Sequence, residues 1–330
     1  IDAMCFFDAG RVREMMNACG AQGRPFLFAV DFEMREGIFI KDPLACTSVG
    51  FSVNGVGNRG ERSAAVGRGE AALEASPIGF DAYARRFDVV RRGLLRGDSF
   101  LTNLTVRTPV KTELSLHDIF LRARAPYLLY VPGRFVCFSP ERFVRIADGR
   151  ISTNPMKGTI NASLPDARQR ILDDPKETAE HHTIVDLLRN DLSIHASRVG
   201  VERFRYIDRI ATRRGDILQV SSEIAGLLPE GYRARLGDIL FDMLPAGSVS
   251  GAPKSSTLRI IREAEKEPRG YYTGVFGYFD GRMLDSAVLI RFIEEADGRL
   301  WFRSGGGVTA YSDCRAEYEE VIEKVYLPFV

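Results

Sequence analysis

At 330 residues the chain has room for one large domain or two ordinary ones, and 45% apolar with 27% charged residues describe a soluble globule with an ample core. Lys and Arg (45) against Asp and Glu (44) leave a net charge of +1, which argues against nucleic acid or an anionic membrane as partner. No apolar run approaches the roughly 20 residues of a membrane helix and the N-terminus carries no signal pattern, so the cytoplasm is the expected compartment.

The first half-hundred residues pair a helix around Arg11 to Cys19 with short strand-like runs at Phe26–Phe32, Ile38–Ile40 and Val49–Val53. A segment rich in Gly, Arg, Asn and Ser, Gly55–Gly69, then reads as an exposed loop and the best boundary, with Arg59, Arg62 and Arg68 as solubilising residues. We expect a short N-terminal region over 1–75 packed on a main domain over 76–330. Phe80, Tyr83, Phe87, Val90 and Leu94 keep three-and-four spacing, so 79–96 is an amphipathic helix ended by Gly97. Strands follow at Phe100–Val106, Tyr127–Val131, Phe135–Phe138 and Phe143–Ile146, with a helix near His117–Arg124. Short connections between neighbouring strands favour antiparallel pairing.

Between 177 and 191, Glu177, Glu180, Ile184 and Leu187 recur at helical spacing, so two carboxylates continue a buried apolar stripe. Burying ionised carboxylates costs several kcal/mol unless cations or donors meet them. The alternative is a pair of solvated acids favouring the helix dipole. Farther on, Pro253 opens a helix to about Lys266, and Tyr271–Phe279 with Ser286–Ile293 forms a hairpin turning at Asp280 and Gly281. Trp301 and Phe302 lie in a last short strand, and Arg315–Leu327 closes the chain as a helix.

That closing helix repeats the acidic theme: Glu317 and Glu320 stand three apart, with Lys324 four farther on as an i,i+4 partner. Two such helices could supply an oxygen-only site suited to Mg²⁺. Five scattered cysteines (Cys5, Cys19, Cys46, Cys137, Cys314) and four histidines argue against a disulfide framework or a zinc site. Two glycine-rich stretches, Pro245–Lys254 and Ser304–Val308, could cradle an anionic group, but neither matches a nucleotide-binding pattern. Helices interleaved with antiparallel hairpins make the fold α+β.

The phrases Ser139-Pro140-Glu141-Arg142-Phe143, Asn154-Pro155-Met156-Lys157-Gly158-Thr159, Ile184–Asp191, Gly247–Lys254 and Ser304–Val308 occur in the order in which similar phrases mark the chorismate-utilising enzymes, and the chain resembles that family from about residue 80 to 330. The resemblance implies two packed, mostly antiparallel β-sheets flanked by helices, with the active site in a deep cleft. Members making anthranilate, isochorismate or salicylate typically carry Ala where this chain has Lys157, whereas aminodeoxychorismate synthases carry Lys. Lys157 thus resembles the nucleophile of that subfamily. Water-activating members carry Lys at the position aligned with Leu101, and leucine cannot act as a base.

By the same resemblance Glu141 is the general acid for a departing C4 hydroxyl, and Glu180 and Glu320 are direct Mg²⁺ ligands, with Glu177 and Glu317 acting through water. Arg291 is the clamp on a substrate carboxylate, Tyr272, Ser248, Thr159, Gly305, Gly306, Gly307 and Lys324 are further substrate contacts, and Asn103 faces the ring. One departure is Gln219, where many relatives have His. The implied reaction converts chorismate and ammonia into 4-amino-4-deoxychorismate for para-aminobenzoate and folate. No Gly-x-Cys-x-Gly elbow occurs, so ammonia would come from a separate glutamine amidotransferase subunit. Anthranilate formation, or a non-catalytic chorismate-binding scaffold for the amidotransferase, are the rival readings.

Overall fold

The computed structural model describes residues 6–60, 72–210 and 216–329. Cys5, Arg62, Arg68 and most of the Gly55–Gly69 segment therefore lie outside the described residues. In chain order the elements are β1 (Phe6–Asp8), α1 (Ala9–Ala21), β2 (Phe26–Val30), β3 (Glu36–Lys41), β4 (Gly50–Val53), β5 (Val56–Gly57), β6 (Glu74–Ala75), α2 (Phe80–Leu95), β7 (Leu101–Lys111), α3 (Leu116–Arg122), β8 (Tyr127–Val131), β9 (Phe135–Ser139), β10 (Arg142–Ala147), β11 (Arg150–Thr153) and β12 (Met156–Asn161). The second half continues with α4 (Ala167–Asp173), α5 (Pro175–Ser193), β13 (Ser197–Ile210), β14 (Ile217–Leu227), α6 (Leu236–Asp242), β15 (Gly251–Ala252), α7 (Lys254–Glu265), β16 (Val275–Phe279), β17 (Leu284–Val288), β18 (Phe292–Ala296), β19 (Arg299–Val308) and α8 (Cys314–Glu323). Among the described residues no helix is long and apolar enough to cross a membrane.

Every strand pairing is antiparallel, and the strands form two sheets. One runs β1-β3-β2-β16-β17-β10-β11-β14-β12, with β13 on β14; the other runs β15-β7-β19-β18-β9-β8-β4-β5, with β6 on β7. The N-terminal segment supplies strands to both, since β2 pairs with β16 and β4 pairs with β8. Alternation along each strand sorts side chains between layers. On β2, Leu27 and Ala29 face the inter-sheet core with Phe51, Leu129, Phe135 and Phe276, while Phe26 and Phe28 face α1 through Val12 and Met16. The second sheet's outer face is covered by α2, α7 and α8, where Tyr83, Phe87, Ile260 and Val321 meet Leu104, Val106 and Val308. Each such side chain contributes about 1.5–3 kcal/mol by leaving water.

Two connections pass from one sheet to the other side by side. β9 ends at Ser139 and β10 begins at Arg142, leaving Pro140 and Glu141 at the crossing; β17 ends at Val288 and β18 begins at Phe292, leaving Leu289, Ile290 and Arg291. The pairing register is the same on both sides, Cys137 opposite Phe292 in one sheet and Arg142 opposite Ala287 in the other. At the bend Phe138 N–H donates to the Arg291 carbonyl (3.0 Å) and Val288 N–H to the Glu141 carbonyl (3.2 Å). The expected second hairpin strand, Ser286–Ile293, is therefore two strands in two sheets, with the partly exposed Ile290 and Arg291 at the bend between two buried runs.

The hairpin's first strand starts at Val275 rather than Tyr271, and the closing helix ends at Glu323 rather than Leu327, with Lys324 as its C-cap. Arg59 is not merely solubilising: it donates to the Leu121 and Ala123 carbonyls at the end of α3.

Below the second sheet's glycine-rich end lies a buried ion pair. Arg269 and Glu265 have side chains 1% and 2% exposed, 2.7 Å apart. Arg269 also donates to the carbonyls of Val249 (2.8 Å) and Asn103 (2.7 Å), while Glu265 accepts from Thr105 N–H (2.9 Å). Removing one partner strands the other charge in the interior. Arg269→Met is accordingly expected to lower unfolding free energy by about 3–5 kcal/mol in urea denaturation; a loss below about 1 kcal/mol contradicts this account.

Candidate active site

Where the two crossings bend away from each sheet, they open a cleft of about 520 Å³. Its wall includes Asn103, Glu141, Thr159, Glu177, Glu180, Ser248, Tyr272, Arg291, Gly305, Gly306, Gly307, Glu320 and Lys324, together with Gln219, Arg303 and Tyr326. Thus the expected site residues converge on one place from distant parts of the chain. Two are reported separately. Glu317 is 1% exposed, directly behind Gly306, and the side chain of Lys157 lies outside the described residues.

The backbone of Lys157 is described, and its setting is unusual. Lys157 pairs with Val220 and Thr159 with Gln219, so Gly158 is an extra residue in the ladder, a β-bulge with φ +70°. A Cβ built there would lie 3.0 Å from Glu177 Oε2. The bulge therefore lets the carboxylate approach the strand and re-aims the residues around it.

Glu177 and Glu180 occupy the first turns of α5, whose N-cap Asp174 accepts from Glu177 N–H at 2.9 Å. Glu180 is 5% exposed and Ile184 1%, so the stripe does point inward; Glu177 and Leu187 are only partly buried. On α8, capped by Asp313, Glu317 is deeply buried whereas Glu320 is exposed. Lys324 Nζ donates to Glu320 Oε1 (2.6 Å) and to the Gly305 carbonyl (2.8 Å), so the expected i,i+4 pair also ties α8 to the glycine strand. A Cβ at Gly306 would sit 3.3 Å from Glu317 Oε2 and 3.8 Å from Glu320 Oε1. Glycine is what leaves room for the acids.

Among the described residues no three His, Cys, Asp or Glu side chains close into a finished metal site. The donors nonetheless fit a hard cation: they are carboxylates only, they come from two helices facing one cleft, and glycines clear space beside them.

Glu141 stands at the first crossing, and Ser248 Oγ donates to its Oε1 at 2.5 Å. Beside it Arg142 bridges Asp285 (3.0 Å), Tyr127 (2.9 Å) and Asn154 (2.9 Å), fixing the crossing to the segment that leads into Lys157. Asp285 also accepts from Asn54 in the other sheet (2.8 Å). Burial and the nearby Asp285 push the Tyr127 phenol up to about 12, so it remains a donor throughout the physiological range.

At the second crossing Arg291 has φ +52°, a left-handed conformation that costs a non-glycine residue about 1–3 kcal/mol and tends to mark functional positions. Its Nε donates to Tyr326 Oη at 3.3 Å. Thr273, next to Tyr272, is held at φ +62°. Burial raises the Tyr272 phenol well above its usual range, opposed by the charges of Arg269, Arg291 and Arg303. The loop 245–254 is anchored by Lys254, which bonds Asp191 (2.9 Å) and the Met243 carbonyl (2.6 Å). Burial raises the Asp191 carboxyl, and Lys254 opposes that rise.

Arg303, Tyr326 and the bulge at Gly158 were not anticipated from sequence. An arginine amid the apolar and glycine residues of Trp301–Val308 was the available signal for the first.

The profile of the family described as chorismate binding enzyme matches residues 54–328. An uncharacterised PabA-like protein of Pasteurella multocida is 50% identical over 318 residues, covering 96% of this chain and 97% of that protein. Anthranilate synthase component 1 of Aquifex aeolicus is 38% identical over 212 residues (61% of this chain, 42% of that one), and aminodeoxychorismate synthase component 1 of Salmonella typhimurium is 33% identical over 259 residues (74% and 56%). The chain thus spans about half the length of these last two relatives. Among solved structures, anthranilate synthase component I of Streptococcus pneumoniae superposes with a TM-score of 0.66 at 29% identity, over 76% of this chain and 58% of that one. For the fold alone, a Bacillus anthracis protein described as a putative isochorismate synthase, DhbC, gives 0.68 at 19% identity, over 96% and 86%. The order of elements, the two antiparallel sheets and the profile match agree: this chain belongs to the chorismate binding enzyme family.

Proposed function

We propose that the chain is an aminodeoxychorismate synthase component I, which aminates chorismate at C4. The observation that carries this reading is a cleft lined by opposite charges. Glu177 and Glu180 of α5 and Glu320 of α8 line it together with Arg291, Tyr272 and, at a crossing in its wall, Glu141. A substrate with two carboxylates suits this lining if a divalent cation is held by the acids.

Glu177, Glu180, Glu317 and Glu320 would hold Mg²⁺, which when bound neutralises a substrate carboxylate and orients the ring. Arg291 grips the second carboxylate through its planar guanidinium. Lys157, as the free amine, adds at C2; both ring double bonds shift and the C4 hydroxyl departs as water with a proton from Glu141. Ser248 holds Glu141 by one oxygen. Ammonia then adds at C4, both double bonds shift back and the lysine amine is released, so the balance is chorismate plus ammonia to 4-amino-4-deoxychorismate plus water. A separate glutamine amidotransferase subunit would supply the ammonia. Gln219, opposite Thr159 in the ladder, cannot transfer a proton at neutral pH, which leaves acid–base work to Glu141 and Lys157.

The second reading is anthranilate synthase component I, favoured by the 38% identity to the Aquifex aeolicus protein. Product analysis separates the two. Incubated with chorismate, Mg²⁺ and an ammonium salt at mildly alkaline pH, the chain is expected to give 4-amino-4-deoxychorismate by chromatography and mass spectrometry; anthranilate would overturn the proposal. Lys157→Ala is expected to abolish C4 amination, and unchanged C4 amination in that variant removes the covalent role. Ser248→Ala is expected to lower kcat about tenfold with KM within about twofold, since a charge-assisted hydrogen bond contributes about 1.5–3 kcal/mol; an unaltered kcat contradicts the orienting role.

A further inference from the structure

The wall at the Tyr272 end holds a second arginine that the mechanism above leaves unused. Arg303 lies on β19 in register with Arg107 on β7 and Phe292 on β18. Both guanidiniums lean on one carboxylate oxygen, Glu294 Oε1, at 2.9 Å from Arg303 and 2.8 Å from Arg107. Two cations share one anion, so the cluster keeps one positive charge in excess. The two arginines differ in where they face. Arg107 stacks on Trp301, 4.1 Å from the ring centroid, whereas Arg303 lines the cleft.

The Arg303 side chain is only 6% exposed. Its Nε serves Glu294 and its Nη2 the Pro268 carbonyl (3.3 Å), and Nη1 makes no hydrogen bond among the described residues. A charge so placed in a buried wall is costly unless an anion completes it. Arg269 offers a contrast: it is as deeply buried, but Glu265 balances it fully. Tyr272 sits within the field of Arg269, Arg291 and Arg303 alike.

We infer that Arg303 is a specificity-determining residue, which together with Arg291 and Tyr272 forms a subsite for a carboxylate on a short side chain of the substrate. This rests on the chorismate reading above and identifies which end of the cleft selects the side-chain carboxylate. The competing role is structural, an ion pair that pins β18 to β19.

Two variants with opposite expected signs separate these roles. In Arg303→Gln, Glu294 keeps Arg107 as partner, so the fold is retained while the subsite loses its excess charge. In Glu294→Gln, the arginines lose their shared counter-ion and the subsite gains charge. Calorimetric titration of chorismate in the presence of Mg²⁺, alongside kcat and KM, is expected to show Kd and KM raised about tenfold in Arg303→Gln with kcat within about threefold, and Kd lowered severalfold in Glu294→Gln. Unchanged binding in Arg303→Gln, or weaker binding in both variants, overturns the inference and leaves the functional reading standing. A wild-type chain that binds no chorismate overturns both.

Discussion

The site depends on a bend in one two-stranded ribbon. Residues 135–142 run against 287–294 in a single register, starting in one sheet and ending in the other, and the register shifts only beyond Arg142. Where the ribbon leaves the first sheet, its two chains hydrogen-bond to each other, through Phe138, Val288 and the carbonyls of Arg291 and Glu141, while Leu289 donates to the Gly274 carbonyl and accepts from Thr273. A buried backbone group needs a partner wherever it lies, so the bend is rigid rather than loose. That rigidity sets an acid, Glu141, and an arginine, Arg291, in the wall of one cleft. Arg291 is held there in a left-handed conformation that the surrounding ladder over-determines.

Around this bend charges of both signs line the cleft. Glu177 and Glu317 arrive in the first turns of α5 and α8, where the helix dipole favours them, and glycines at 158 and 306 let carboxylates approach the strands. Cations arrive from the crossing, from β19 and, as Lys324, from the C-cap of α8. Behind them, neutralised pairs such as Arg269–Glu265 and Lys254–Asp191 hold the 245–254 loop and the Asn103 strand in place. Their charges cancel locally.

Much of this was legible in the sequence because helical spacing carries it. Glu180 and Ile184 share a face, and so do Glu317 and Val321, and both faces are buried as the spacing requires. The companions Glu177 and Glu320 are more exposed, since an ExxE pair spans 300° of helix rotation and only one member can lie at the centre of the stripe. The sheet crossing was not legible. Ser286–Ile293 is apolar but for Ser286 and Arg291, so it reads as one strand, and the partly exposed Ile290 and Arg291 alone mark the point where it changes sheets. β13 and β14 escaped notice as well: β13 is an edge strand whose charged and partly exposed residues lack a clean alternation, interrupted by positive-φ residues at Arg198 and Arg205. Arg303 stands between the short strand expected at Trp301 and Phe302 and the glycine-rich stretch Ser304–Val308, and the register with β7 shows that all of them lie in one strand.

The central claim is that the acidic and cationic ends act on one substrate, so cation and chorismate must bind as linked ligands. The most direct measurement is calorimetric titration of chorismate with and without Mg²⁺, together with the reciprocal titration of Mg²⁺ with and without chorismate. The account requires each to tighten the other by the same factor, about tenfold or more, and requires Glu180→Gln to abolish that coupling. Chorismate affinity that is indifferent to Mg²⁺ would contradict it.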